Sequence, residues 1–100
     1  MDVVNALEAF SALSHETRLW VFRLLVQAGP EGLSAGEIAD RLSARQNTMS
    51  SHLKLLHQSG LIDSRRQGRS VIYSANDDTV RELIVFLQEL AKAQRSGDRI

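Results

Sequence analysis

Apolar residues recur at helical spacing near the start of the chain. Val3, Val4, Leu7, Phe10 and Leu13 predict a first helix from about Val4 to Leu13. Ser14 has cap chemistry for a second helix, and Glu16 suits its first turn, where the helix dipole favours negative charge. Leu19, Phe22 and Val26 predict the buried stripe of that helix, joined by Trp20, Leu24 and Leu25. Gly29-Pro30 stops it, because Gly suits a left-handed cap and Pro cannot continue the ladder.

Ser34-Ala-Gly-Glu37 has the form of a capping box, with Leu33 and Ile38 placed to pack as a hydrophobic staple. This third helix is short and is expected to end near Leu42. After a turn at Ser43 to Arg45, a fourth helix is expected through Ser59, with Gly60 as its stop. Met49, Leu53 and Leu56 fall on its inner face, and Asn47, Ser51, Lys54 and Gln58 on the opposite one, with Ser50 nearby. Two strand-like arms, Leu61 to Arg66 and Arg69 to Ser74, flank Gln67-Gly68 and predict a two-stranded hairpin whose tight turn uses Gly68. A last helix is expected from about Asp77, capped by Asn76 or Asp77. Its apolar stripe runs through Val80, Leu83, Ile84, Leu87, Leu90 and Ala91. The predicted class is mainly α with a small β-hairpin. A chain of 100 residues fits one domain, expected over residues 1–95, with residues 96–100 a frayed tail.

Charge changes the picture once it is divided along the chain. The whole is neutral, with 12 Lys and Arg against 12 Asp and Glu. Residues 1–42 carry three arginines against six carboxylates, a net −3. Residues 43–74 hold Arg45, Lys54, Arg65, Arg66 and Arg69 against Asp63 alone, a net +4. Residues 75–100 return to −1, with four cations against five carboxylates. Polyanion binding depends on the local field, so a basic island between acidic flanks is compatible with it. The longest aliphatic and aromatic run, Leu83 to Leu87, falls far short of the ~20 residues that span a bilayer. Asp2 stands where a secretion signal needs positive charge. A cytoplasmic protein without a membrane partner is the expectation.

The element order is helix, helix, short helix, turn, helix, hairpin, helix. A short helix, a tight turn and a helix with a polar outer face describe a helix-turn-helix, and an arginine-tipped hairpin after it describes a wing. The basic island covers just these parts. Gln46, Asn47, Ser50 and Ser51 lie in the first turns of the fourth helix, where such helices reach base edges. Gln and Asn pair bidentately with adenine edges, and Ser donates or accepts. Lys54, Arg65, Arg66 and Arg69 suit phosphate contacts or an arginine in the minor groove. The plainer alternatives are a solvated helix face and a surface hairpin with no partner. His52 suits a packed or hydrogen-bonded role better than DNA contact, and His57 reads as ordinary surface. Asp63 is the one acidic residue in the hairpin available to pair with its arginines.

Five blocks carry a family likeness: Ala12-Leu-Ser-His-Glu-Thr-Arg-Leu19, Glu37-Ile-Ala-Asp-Arg-Leu42, Thr48-Met-Ser-Ser-His-Leu-Lys-Leu-Leu56, Ser59-Gly-Leu-Ile62 and Arg65-Arg-Gln-Gly-Arg-Ser-Val-Ile-Tyr73. Together, over about residues 6–90, they resemble the ArsR/SmtB family of bacterial winged helix-turn-helix repressors. The resemblance implies a homodimer built by helices 1 and 5. It also implies a palindromic double-stranded operator and repression relieved by an inducer. The long stripe on the last helix separately suits a dimer seam.

The chain departs from the family in its sensing chemistry. Members that sense soft metals carry Cys-Val-Cys where this chain has Ser34, Ala35 and Gly36, and this chain has no cysteine at all. Members with Asp and His ligands on the last helix need a histidine there, and none follows His57. Asp77 and Asp78 suit helix capping better than a hard cation. No metal, no cofactor and no catalytic residue is expected. Ser14, His15 and Glu16 are merely adjacent, and a triad is recognised by geometry. The remaining partner is a small-molecule inducer not held by thiolates. A winged-helix protein-interaction module, and an inducer-independent repressor controlled by a partner, stand as alternatives.

Overall fold

The computed structural model describes residues 1–95. The predicted fraying of residues 96–100 lies outside the described residues. The order is α1 (Val3–Leu13), α2 (Glu16–Ala28), a 3-10 turn (Gly29–Glu31), β1 (Leu33–Ser34), α3 (Ala35–Arg41), α4 (Gln46–Gln58), β2 (Ile62–Gln67), β3 (Ser70–Ala75) and α5 (Asp77–Arg95). The strands form one antiparallel sheet in the order β1-β3-β2, so the expected two-stranded hairpin gains a third, very short strand. Gly32 makes that strand possible. Its φ is +69°, and a Cβ there would run into the Tyr73 carbonyl oxygen of β3.

Asp2 starts α1 by accepting the Asn5 backbone N–H at 2.8 Å. The helix turns small residues inward: Ala6, Ala9 and Ala12 are buried, while Val3, Val4 and Leu7 are exposed. Alanines let the helix approach the core closely, and of the stripe that revealed the helix Phe10 and Leu13 pack partly against the core while the rest faces out. Ser14 does not cap α2, as its sequence position suggested. It closes α1, and the His15 imidazole caps α2 by accepting the Thr17 N–H through Nδ1 at 3.1 Å. The predicted α2 stripe also rotates. Val21 and Leu25 are buried and Phe22 and Leu24 half-buried, whereas Leu19, Trp20 and Val26 are exposed. This helix is apolar on most of its circumference, so spacing alone could not fix its phase.

The Ser34–Glu37 capping box forms as predicted, with both reciprocal bonds present at 3.2 and 3.0 Å. Its hydrogen bonds hold the Glu37 carboxyl below the usual carboxylate range. Met49, Leu53 and Leu56 are fully buried, as their spacing predicted. They meet Val21, Leu25, Ile38, Leu61 and Ile62 in one core. The turn between α3 and α4 passes through Ser43, whose φ of 53° is the one left-handed value at a non-glycine residue among those described. Asn76 caps α5 by accepting the Thr79 N–H at 3.0 Å.

Among the residues of α5 whose side chains are described only Leu83 is buried, and Ile84, Val85, Leu87 and Leu90 are exposed. Phe86 meets Phe10 of α1 with ring centroids 6.4 Å apart, so the two helices meet beside their uncovered apolar faces. The Cα radius of gyration is 15.2 Å, against about 13 Å for a compact chain of this length. The excess fits a long last helix whose apolar side stands exposed among the described residues. Among the described residues no helix is long and apolar enough to cross a membrane.

Candidate nucleic-acid interface

Helix α4 begins at Gln46 directly after the turn, with Arg45 at its N-cap in extended backbone. Its free N–H groups and dipole give this end positive potential. Gln46, Asn47, Ser50, Ser51 and Lys54 are all exposed, as predicted. Two of the small polar groups are locally engaged. Asn47 Oδ1 accepts the Thr48 N–H at 2.8 Å, and Ser50 Oγ donates to the Gln46 carbonyl at 3.1 Å. Both bonds leave donor or acceptor capacity for another partner. Gln46 also borders a cleft of about 400 Å³, shared with Ser34 of β1, with Gly36 of α3 and with Arg69 and Val71 of the hairpin. The head of α4 and the tip of the hairpin therefore open on one side of the molecule.

The hairpin register sets which face each strand residue lies on. Ile62 pairs with Ala75, Ser64 with Tyr73 and Arg66 with Val71, all on one face. Asp63, Arg65 and Gln67 lie on the other, opposite Ser74, Ile72 and Ser70. The first face looks towards α4, because Ser64 Oγ stands 3.3 Å from His57 Nε2. Arg66 shares that face. Arg65 points the opposite way and forks onto backbone carbonyls, reaching Pro30 at 3.2 Å and Glu31 at 2.7 Å. It fastens the wing to the 3-10 turn, a role that sequence reasoning missed because the acceptors are 35 and 34 positions away. Gly68, with φ +64°, and Arg69 form the tight turn itself.

Asp63 does not pair with the arginines. It accepts from Asn76 Nδ2 at 3.2 Å. The ion pairs among the described residues are Arg81–Asp78 and Lys92–Glu89, both on α5. Arg45, Lys54, Arg66 and Arg69 are exposed cations with no acidic partner among the described residues. Arg45 was not singled out from the sequence. Its charge within the basic island was the available signal.

His52 takes the packed role expected of it. Its ring lies against His15 with centroids 4.8 Å apart, and its Nδ1 is buried without a hydrogen-bond partner. Burial, then the nearby His15 and Arg18, lower its pKa. No cluster of three or more His, Cys, Asp or Glu side chains suited to a metal occurs among the described residues.

A family profile described as a helix-turn-helix domain matches residues 13–65. An uncharacterised HTH-type transcriptional regulator, MJ1325, of Methanocaldococcus jannaschii is 35% identical, covering 86% of this chain and 94% of its own. The transcriptional activator HlyU of Vibrio cholerae is 31% identical over 86% of this chain and 77% of its own. The solved structure of an ArsR-like transcriptional regulator from Rhodococcus sp. RHA1 superposes with a TM-score of 0.82 at 27% identity, covering 93% of this chain and 85% of that one. The chain belongs to the ArsR/SmtB family of winged helix-turn-helix transcriptional regulators. Within that family, α3 and α4 are its helix-turn-helix and β2–β3 is its wing.

Proposed function

We propose that the protein acts as a homodimer that binds a two-fold symmetric operator in double-stranded DNA and lowers transcription by occupying it. The observation that carries this is the set of exposed cations, Lys54, Arg66 and Arg69, that have no acidic partner among the described residues and accompany the exposed head of α4. Gln46, Asn47, Ser50 and Ser51 read base edges in the major groove. Lys54, Arg66 and Arg69 hold the backbone or enter the minor groove, joined by Arg45. Arg65 sets the wing instead of touching DNA. The exposed apolar faces of α1 and α5 supply the seam between protomers. Residues 1–95 act as one domain, in the cytoplasm, with no catalytic role.

A dimer of this kind reads half-sites one helical turn apart, about 34 Å. Selection of bound sequences from a random DNA pool tests the reading. Recovery of an inverted repeat with that spacing is expected, and recovery of no preferred sequence refutes it. A reporter driven by the protein's own promoter then gives the sign of regulation. HlyU carries the name of an activator, so a rise in reporter output on expression would overturn repression while leaving operator binding in place.

A further inference from the structure

We infer that a cleft of about 500 Å³ between α1, the start of α2 and the end of α4 binds a small organic carboxylate with an apolar body. That volume lies within the range of small-molecule sites. Leu7 and Ala12 of α1 and Leu55 of α4 give it apolar walls, and Gln58 gives it an amide. Arg18 supplies the charge. Its Nε donates to the Ala12 carbonyl at 2.6 Å, which fixes the plane of the guanidinium. Its terminal nitrogens have no hydrogen-bond acceptor and no carboxylate partner among the described residues.

A planar, half-buried guanidinium with its outer donors free matches the two oxygens of a carboxylate. No carboxylate pairs with this guanidinium among the described residues. His15 and His52 lie in contact with each other, and Arg18 is near enough to help lower the His52 pKa. Glu8 also borders the cleft but makes no ion pair with Arg18. Its charge disfavours ligands with a second negative group. A monoanion with an aromatic or branched apolar body satisfies every wall.

The cleft touches both a helix of the proposed dimer seam, through Leu7, and the reading helix, through Leu55. A ligand there bears on the geometry between them. This regulatory consequence rests on the DNA-binding reading above, whereas the binding site does not.

Phenylacetate is the probe, and phenethylamine is the body-matched control that lacks the carboxylate. Calorimetric titration of the full chain should show saturable binding of phenylacetate and none of phenethylamine. At about a hundredfold over Kd, phenylacetate should raise Tm by on the order of 10 °C. Arg18→Gln keeps a donor for Ala12 and should weaken binding by at least about tenfold. Leu55→Glu changes an exposed residue, keeps the test alive if Arg18→Gln unfolds, and should have the same effect by repelling the anion. No saturable binding of phenylacetate, equal binding of phenethylamine, or binding that survives both variants overturns the site. Unchanged operator affinity in saturating phenylacetate overturns the regulatory consequence. Failure of the chain to bind any DNA refutes the earlier reading and leaves the site to stand or fall on the titration.

Discussion

Arg65 and Arg66 are neighbours in sequence, yet the hairpin register sends them to opposite faces, and substituting each should have separable effects. Arg65→Ala removes two hydrogen bonds from a guanidinium to backbone carbonyls, at 3.2 and 2.7 Å. Bonds to a charged group contribute about 1.5–3 kcal/mol each where shielded, and these are exposed to solvent. A total cost of about 1 kcal/mol is therefore expected, which lowers Tm by roughly 4–8 °C for a domain of this size. Arg66→Ala removes an exposed side chain with no acidic partner among the described residues. Its stability cost should stay within about 0.5 kcal/mol. Its effect should appear instead in DNA binding, where loss of one phosphate contact lowers the slope of log affinity against log salt by about one. The assays are thermal unfolding and operator titration at several salt concentrations. A destabilised Arg66→Ala with an unchanged salt slope would refute the division of labour. So would a fully stable Arg65→Ala.

Three further outcomes are expected. Leu87→Glu places a charge on the exposed apolar face of α5. A two-fold interface meets it twice, so sedimentation equilibrium should show dimerisation weakened by roughly a hundredfold or more; an unchanged association constant would place the seam elsewhere. Gly32→Ala combines a left-handed φ with a collision against the Tyr73 carbonyl, so denaturant unfolding should show a loss of more than about 1 kcal/mol. A neutral result would mean that β1 can detach freely. His52 has a pKa lowered by burial and by nearby His15 and Arg18. The unfolded chain takes up this proton near pH 6.5 while the folded protein resists it. Stability should thus be intact above about pH 6.5 and fall as pH drops below that, with His52→Gln flattening the fall; an identical pH profile in the variant would assign the effect to another group.

Local chemistry explains what could be read early. The Ser34–Glu37 box, the Met49-Leu53-Leu56 face and the Gly68 turn each depend on groups within a few residues of one another. The position of the basic island was legible for the same reason. Two local expectations failed. Ser14 was expected to cap α2, but α1 runs to Leu13 and takes Ser14 as its own end, which leaves the cap of α2 to His15. The α2 stripe had several apolar phases available, and packing against α1, α4 and the sheet selected one.

By itself, the sequence determined the order of the five helices and the hairpin, and with them the helix-turn-helix and its wing. These follow from periodicity and capping, whereas the family was legible from the five blocks that resemble it. Tertiary structure alone decided that Arg65 holds the wing while Arg66 faces α4's side, because its acceptors come from a distant turn. It also decided that α1 packs deepest through alanines and leaves Val3, Val4 and Leu7 uncovered, since depth of packing depends on what lies opposite. The same long-range assembly places the Arg18 guanidinium, with no ion-pair partner among the described residues, at a cleft made by three helices. Periodicity within one helix carries no information about the separation between two.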